Sequence, residues 1–319
     1  MIAEPVARRA LRQLRELLAV HRDMETAGIL AVPFKGPVLA AQLYGDVARR
    51  QSNDLDFLVR RSDLGRATDL LVARGYRPPP LLATRRGAKF LDGVGHHRFT
   101  RGDGAIVELH WDFAPRHFPY PIDRARVRSH LEPVRIGGRL LYTVPRDELL
   151  FLLCAHGAKH AWVRLAWIRD VAQLVRVASN PDWNAVLAAA RRRRALRMML
   201  LSLLLAAELC DAPVPHWVIE RARSDPTVSS LAQEVRDRLR IDPQLEPTAA
   251  KVRWFQFRTR DRWRDQLRVY AVPALMVGPG DWEWVRLPDR LYALYYLLRP
   301  IRLVLKYANK PPRGRKDAQ

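Results

Sequence analysis

Two carboxylates one residue apart are the clearest chemical signal in this chain. Asp54 and Asp56 open the apolar run 55–59. Side chains two residues apart on a strand project from the same face, so these carboxylates would lie side by side. Neighbouring anions repel each other unless a cation lies between them. The pair therefore predicts a site for a hard cation, with Mg²⁺ as the first candidate and Mn²⁺ as an alternative. A turn residue followed by a strand-edge carboxylate is the other interpretation.

A third carboxylate lies on a later strand. A turn signal at residues 102–104 precedes the stretch 105–113, in which apolar and polar residues alternate. Glu108 and His110 share the polar face of that stretch. Three carboxylates can hold the metal ions that support phosphoryl chemistry. An exposed strand edge would produce the same alternation.

Residues upstream of the pair have features that bind phosphate. The apolar stretch 29–34 predicts a short buried strand, and Lys35 and Gly36 follow it. Gly36 would let the backbone approach a phosphate, and a helix beginning at Pro37 would offer N–H groups and the positive end of its dipole. Lys35 and Arg50 would add positive charge. A turn glycine without such a role is the simpler alternative.

The elements that position these residues change character along the chain. Helical periodicity alternates with short apolar strands up to about residue 145, and only helical patterns follow. We therefore predict an α+β fold in three parts: a mixed β-sheet domain with flanking helices (1–145), a mainly α-helical domain (146–307) and a basic flexible tail (308–319).

Composition limits the class of protein and its partners. The 319 residues are 48% hydrophobic, which excludes a disordered chain, and 55 basic against 33 acidic residues give a formal charge of +22. This charge favours an anionic partner: nucleotide, nucleic acid or membrane. Cys154 and Cys210 lie in apolar helical patterns, as expected for buried thiols in a reducing cytoplasm. The N-terminus lacks a signal-peptide pattern and the apolar stretch 198–209 is too short to span a bilayer, so we expect a cytoplasmic protein.

The helical part contains two further candidates. His156 and His160 lie four residues apart on one helix face. This spacing is compatible with three roles: zinc ligands, a hydrogen-bonded pair between the domains, or part of the wall of an acceptor site. The segment 291–307 is rich in Tyr, Leu and Arg, so it would lie on an anionic membrane or pack as a terminal helix. Aromatic residues among arginines from Trp254 to Trp284 would stack bases or fill a core, and no nucleic-acid motif accompanies them.

Together, these motifs resemble the nucleotidyltransferase-fold superfamily, and within it an uncharacterised bacterial nucleotidyltransferase family. The similarity rests on Phe34-Lys35-Gly36, Tyr44, Arg50, residues 54–59, 107–111, 155–162 and 167–170, and more weakly on 287–288 and 295–302. Pro37 departs from the small Ser or Gly usual in the superfamily, and the spacing from Gly36 to Asp54 is longer than in its best-known enzymes.

The resemblance implies a Mg²⁺-dependent transferase that moves a nucleoside monophosphate from an NTP, with ATP as the expected donor, to an unidentified acceptor. It implies catalytic and metal-binding roles for Asp54, Asp56 and Glu108, nucleotide-binding roles for Lys35, Gly36 and Arg50, and acceptor-site roles for His110, His156 and His160. The alternatives are a catalytically inactive member that binds nucleotide or nucleic acid, and a membrane-surface accessory protein.

Overall fold

The computed structural model of the protein describes residues 6–308 except 114, 116, 119, 121, 179–180 and 243–245. The predicted flexible tail therefore lies outside the described residues, apart from residue 308. The described strands are β1 (Val32–Pro33), β2 (Leu55–Leu58), β3 (His96–Thr100), β4 (Ile106–His110), β5 (Glu132–Ile136) and β6 (Arg139–Thr143).

Helices make up most of the remaining described chain. They are α1 (Val6–Thr26), α2 (Gly36–Tyr44), α3 (Leu64–Ala73), α4 (Arg85–Val94), α5 (Arg124–Ser129), α6 (Arg146–Lys159), α7 (Leu165–Val177), α8 (Trp183–Arg192), α9 (Leu196–Cys210), α10 (His216–Arg223), α11 (Pro226–Ile241), α12 (Ala249–Arg258), α13 (Trp263–Leu275), α14 (Pro279–Trp284) and α15 (Leu294–Ala308). Short 3₁₀ helices span Val47–Arg49, Arg61–Asp63, Pro80–Ala83 and Asp289–Leu291. The α+β class predicted from the sequence is confirmed.

A small mixed sheet carries the chemistry predicted from the sequence. Its strand order is β1-β2-β4-β3, with β2 and β4 parallel and the outer pairs antiparallel. Asp56 of β2 lies opposite Glu108 of β4 in this register. Opposite residues on neighbouring strands have side chains on the same face, so the sheet brings these two carboxylates together. β1 is shorter than the predicted strand 29–34, and its Pro33 occupies an edge strand, where a missing N–H is tolerated.

Two apolar cores hold the sheet from opposite sides. One core contains Phe57, Val107 and Leu109 of the sheet, packed with residues of α1 and α3. The other is built largely from α6, α7 and α9, and it extends to Phe34 and Leu58 beside the sheet. Because this second core reaches the sheet, the helical part is fixed against the strands that carry the carboxylates. None of the described helices combines the length and apolar character required to cross a bilayer.

Candidate active site

Three side chains from the two parallel strands converge at one point. One ligand atom each of Asp56, Glu108 and His110 lies within 4.8 Å of the other two. The parallel register places Asp56 opposite Glu108, and His110 follows two residues later on the same face of β4. Asp56 is only 2% exposed. The sequence predicted that Asp56 and Glu108 lie near each other, whereas it placed His110 in the acceptor site.

Positive charge lies between these carboxylates. Lys35 Nζ donates to Asp56 Oδ1 at 3.2 Å, and His110 Nε2 lies 3.1 Å from the same oxygen and 3.2 Å from Glu108 Oε2. Burial lowers the pKa of His110, but its hydrogen bonds with Asp56 and Glu108 outweigh burial and raise that pKa above its ordinary value. Burial likewise raises the pKa of Asp56, but the charge of Lys35 and the bond with His110 lower it overall. Asp56 is therefore held ionised.

Asp54 lies just before β2, outside the tight group formed by the other three side chains. Like Glu108 and His110, it lines a cavity between the sheet and the helical part. Burial and then the negative charges of Asp56 and Glu108 raise the pKa of Asp54 to about 6, against the smaller opposing effects of Lys35 and Arg98. Asp54 therefore experiences net negative charge from its neighbours. A cation at this point would relieve that repulsion.

The donor atoms fit a hard divalent cation. Asp56 Oδ2 is buried and has no hydrogen-bond partner among the described residues. A buried carboxylate oxygen without a partner costs free energy unless a cation or donor satisfies it. Carboxylate oxygens are the ligands that Mg²⁺ prefers, and Asp54, Asp56 and Glu108 offer them from neighbouring positions on β4 and on or just before β2.

A cavity of about 970 Å³ opens above these residues, between the sheet and the helices α6 and α7. Its lining includes the predicted site residues Lys35, Gly36, Arg50, Asp54, Glu108, His110, His156 and His160. The structure thus brings the predicted nucleotide, metal and acceptor residues to one cavity, although they are spread over residues 35–160 of the sequence. Asp56 lies buried behind this lining.

A family model described as "Uncharacterised nucleotidyltransferase" matches residues 3–211, more than half of the chain. The chain belongs to this family. The resemblance drawn from the motifs is therefore confirmed, and membership indicates a transferase of nucleotidyl groups. The matched segment contains the sheet and helices α6 and α7, which together form the main walls of the cavity. A search of curated proteins found no match to the chain.

The two histidines of the family-matched α6 segment form an aromatic wall with Trp167. The rings of His156 and His160 lie 4.8 Å apart, and Trp167 lies 4.8 Å and 5.4 Å from them. Burial and the charge of Lys35 lower the pKa of His156, and burial and the charge of Lys159 lower that of His160 to about 3. Both rings are therefore neutral near pH 7. Among the described residues, the group able to ligate a metal does not include them.

Gly36 has a structural requirement that the sequence alone does not show. It begins α2 with φ of +60°, and a Cβ atom there would lie 3.1 Å from the backbone oxygen of Asp54. A left-handed φ and close backbone approach both favour glycine. Gly36 therefore lets the start of α2 pack against the backbone that carries Asp54. Its contact with phosphate remains a prediction.

Arg50 forms a buried network that joins the two parts of the chain. Its Nε donates to both carboxylate oxygens of Asp170 at 3.1 Å and 2.9 Å, and the Tyr44 hydroxyl donates to the same carboxylate at 3.0 Å. Asp170 belongs to α7, whereas Arg50 lies four residues before Asp54. The network thus ties the segment before Asp54 to the opposite wall of the cavity. Whether Arg50 also binds nucleotide remains a prediction.

We expect the Asp170→Asn substitution to lower the free energy of unfolding by about 2 kcal/mol, because it removes the negative charge that pairs with the largely buried Arg50. Urea denaturation followed by circular dichroism measures this change. Asp69→Asn, at an exposed position of α3, serves as the control and should stay within about 0.5 kcal/mol of the native chain. Equal stability of both variants would contradict the structural role of the network.

Lys159 is a cavity residue to which the sequence assigned no role. Its side chain forms no hydrogen bond or ion pair with any other described residue, yet it lines the wall that faces Glu108. Burial and the charge of Lys35 lower its pKa to about 8, although Glu108 and Asp56 oppose this shift. Its position in the sequence between His156 and His160, both candidate acceptor residues, was the feature from which a place in the cavity could have been predicted. Lys159 therefore offers the cavity a positive charge that no described side chain pairs with.

Proposed function

We propose that the protein is a Mg²⁺-dependent nucleotidyltransferase that moves a nucleoside monophosphate from an NTP to an acceptor hydroxyl. One observation carries the proposal: Asp56 and Glu108 lie opposite each other on parallel strands, and Glu108 and Asp54 line a cavity rich in positive charge, with Asp56 directly behind them. Membership of a nucleotidyltransferase family supports the same chemistry. ATP is the expected donor.

Asp54, Asp56 and Glu108 would hold the ion, which when bound neutralises the triphosphate and stabilises the leaving pyrophosphate. The acceptor oxygen forms a bond to the α-phosphorus, and the bond from that phosphorus to the bridging oxygen of the β-phosphate breaks. The pyrophosphate leaves with the bonding electron pair. Glu108 accepts the proton of the acceptor hydroxyl: burial raises its pKa, but the hydrogen bond with His110 lowers it overall and keeps the carboxylate ionised.

Positive charge on the cavity wall supports the binding of phosphates. The side chains of Arg49, Lys159 and Arg169 line the cavity and form no hydrogen bond or ion pair with a described residue. Ammonium and guanidinium groups are the usual protein partners of phosphate oxygens. The volume of about 970 Å³ lies at the upper end of the range for small-molecule sites, which gives room for a nucleotide and an acceptor together.

Equilibrium dialysis with each of the four NTPs tests the proposal, in the presence of Mg²⁺ and in the presence of EDTA. We expect at least one NTP to bind with Mg²⁺, and its affinity to fall at least tenfold with EDTA. Extract fractions rich in small molecules would then be added to the protein with the labelled NTP. The fraction that causes labelled pyrophosphate to form contains the acceptor. Equal NTP binding with and without Mg²⁺ would favour the catalytically inactive nucleotide-binding alternative, and no binding at all would contradict both.

We expect NTP binding to weaken several-fold as the pH rises from 7 to 9.5, because Lys159 loses its proton and its positive charge above its pKa of about 8. The Lys159→Arg variant should bind with little change over this range, since arginine stays protonated. Isothermal titration calorimetry at each pH measures the affinity. Lys159→Met should weaken binding roughly tenfold at pH 7, whereas Lys251→Met, at an exposed position of α12, should not. A native profile that matches Lys159→Arg would contradict this role.

A further inference from the structure

The last described helix is turned with its apolar side toward solvent. Leu294, Leu297, Ile301 and Leu305 recur at spacings of three and four residues, which places them on one face of α15. Leu297 is 70% exposed and Ile301 is 53% exposed. A helix that packed on a core in the usual way would bury this stripe, so its exposure needs an explanation.

Polar contacts on the opposite face hold α15 in this orientation. Arg302 Nε donates to the buried carboxylate of Asp281 at 2.6 Å, and Arg299 contacts the same carboxylate. Tyr295 is buried, and its hydroxyl donates to the carbonyl of Val285 at 2.7 Å. The face that anchors the helix is thus polar, with Asp281 buried beneath it. The exposed apolar stripe is a consequence of specific inward-facing contacts.

A second exposed apolar stripe lies on α13, the helix that contacts α15. Trp263, Leu267 and Tyr270 occupy positions i, i+4 and i+7, and Trp263 is 64% exposed. Aromatic contacts extend this surface to α12, since Phe257 lies 5.7 Å from Tyr270 and 5.2 Å from Trp254. Tyr and Trp side chains are favoured at the boundary between lipid and water.

The charges around these stripes have one dominant sign. Among the residues after 248 whose side chains the structure describes, the exposed charged ones are six basic and a single acidic: Lys251, Arg262, Arg264, Arg268, Arg286, Arg290 and Glu283. The sequence continues with four more Lys and Arg in residues 310–316. A second copy of the chain would bring these like charges together, whereas an anionic lipid surface would attract them.

We propose that the outer faces of α13 and α15 bind the surface of an anionic lipid bilayer. The apolar stripes enter the boundary between headgroups and acyl chains, and the surrounding arginines and lysines contact the lipid phosphates. The surface lies outside the family-matched segment 3–211 and does not depend on the nucleotidyl transfer proposed above. It would attach the protein to the membrane surface without requiring any of the described helices to cross the bilayer.

Vesicle flotation of the full-length chain tests this surface. We expect the native chain to float with vesicles of phosphatidylcholine and phosphatidylglycerol, to float much less with phosphatidylcholine alone, and to lose binding as salt rises. The double variant Leu297→Glu/Ile301→Glu should partition at least roughly tenfold more weakly, because it places two anions in the stripe. Both positions are exposed, so Mg²⁺-dependent NTP binding by this variant should equal that of the native chain.

Leu140→Glu/Tyr142→Glu provides a matched control, because these two apolar side chains are about half exposed on β6, far along the chain from the stripes. This control should float like the native chain. The proposal is wrong if the native chain does not float with anionic vesicles at low salt, or if the α15 variant floats as well as the control. Sedimentation velocity adds a third outcome. If the native chain is a dimer that does not float and the α15 variant is a monomer, the surface is an interface between two copies of the chain, and lipid binding is overturned.

Discussion

Replacing Asp56 with Asn is expected to abolish Mg²⁺-dependent NTP binding and transfer, with an affinity loss on the order of 1000-fold. The substitution keeps the shape of the side chain but removes the negative charge at the point where Asp56, Glu108 and His110 converge. It also leaves Lys35 and His110 without the carboxylate that both contact. Isothermal titration calorimetry with Mg²⁺ and the NTP identified by dialysis measures the loss directly.

Asp112→Asn is the matched control for this experiment, because Asp112 follows β4, the strand that carries Glu108 and His110, but does not line the cavity. The control should bind Mg²⁺ and NTP as the native chain does. Far-UV circular dichroism should show that both variants keep the native helix content. If the folded Asp56→Asn variant bound NTP with an affinity within about threefold of that of the native chain, both the metal site and the proposed catalysis would be contradicted.

The Gly157→Ala substitution is expected to lower the free energy of unfolding by about 3 kcal/mol, at the upper end of the effects of overpacking. A Cβ atom at Gly157 would lie 2.3 Å from the ring of Trp162, which is fully buried, so the ring or the helix must move. The N–H of Trp162 also donates to the carbonyl of Gly157 at 2.8 Å, which fixes the turn after α6. Chemical denaturation measures the loss.

Gly65→Ala is the contrasting variant, since a Cβ atom there meets no atom within 4 Å and Gly65 lies in a helix. It should be neutral or more stable by up to about 1 kcal/mol, because alanine favours helix. Gly157→Ala should also weaken NTP binding, because the same turn positions Lys159 and His160 in the cavity. Similar stabilities of the two variants would show that the ring of Trp162 moves at no cost.

The sequence was most informative about features that depend on the repeat of side-chain directions along a single strand or helix. The two-residue period of a strand predicts which side chains share a face, so it placed Glu108 and His110 together on β4. It also predicted a strand that begins at Asp54 and carries Asp54 and Asp56 side by side, whereas β2 begins at Leu55 and Asp54 lies just before it. The combination of motifs was sufficient to identify the family. The α+β class followed from the change between strand and helix periods along the chain.

The strand register could not be read from the sequence. Asp56 meets Glu108 because β2 and β4 are parallel neighbours, and this pairing depends on everything between them folding correctly. The pattern likewise gave no reason to place His110 between two carboxylates or to pair Arg50 with Asp170, which lies 120 residues away. These contacts depend on how elements that are distant in the sequence pack together, which the spacing of residues within one element does not show.

The sequence by itself determined the residue types of the site, the faces on which they lie and the family. Only the tertiary structure decided which of those faces meet, that Lys159 enters the cavity, and that α15 presents its apolar stripe to solvent. The physical reason is the range of the interactions involved. Helix and strand periods act over a few residues, whereas burial and ion pairing depend on neighbours that only the folded chain brings together.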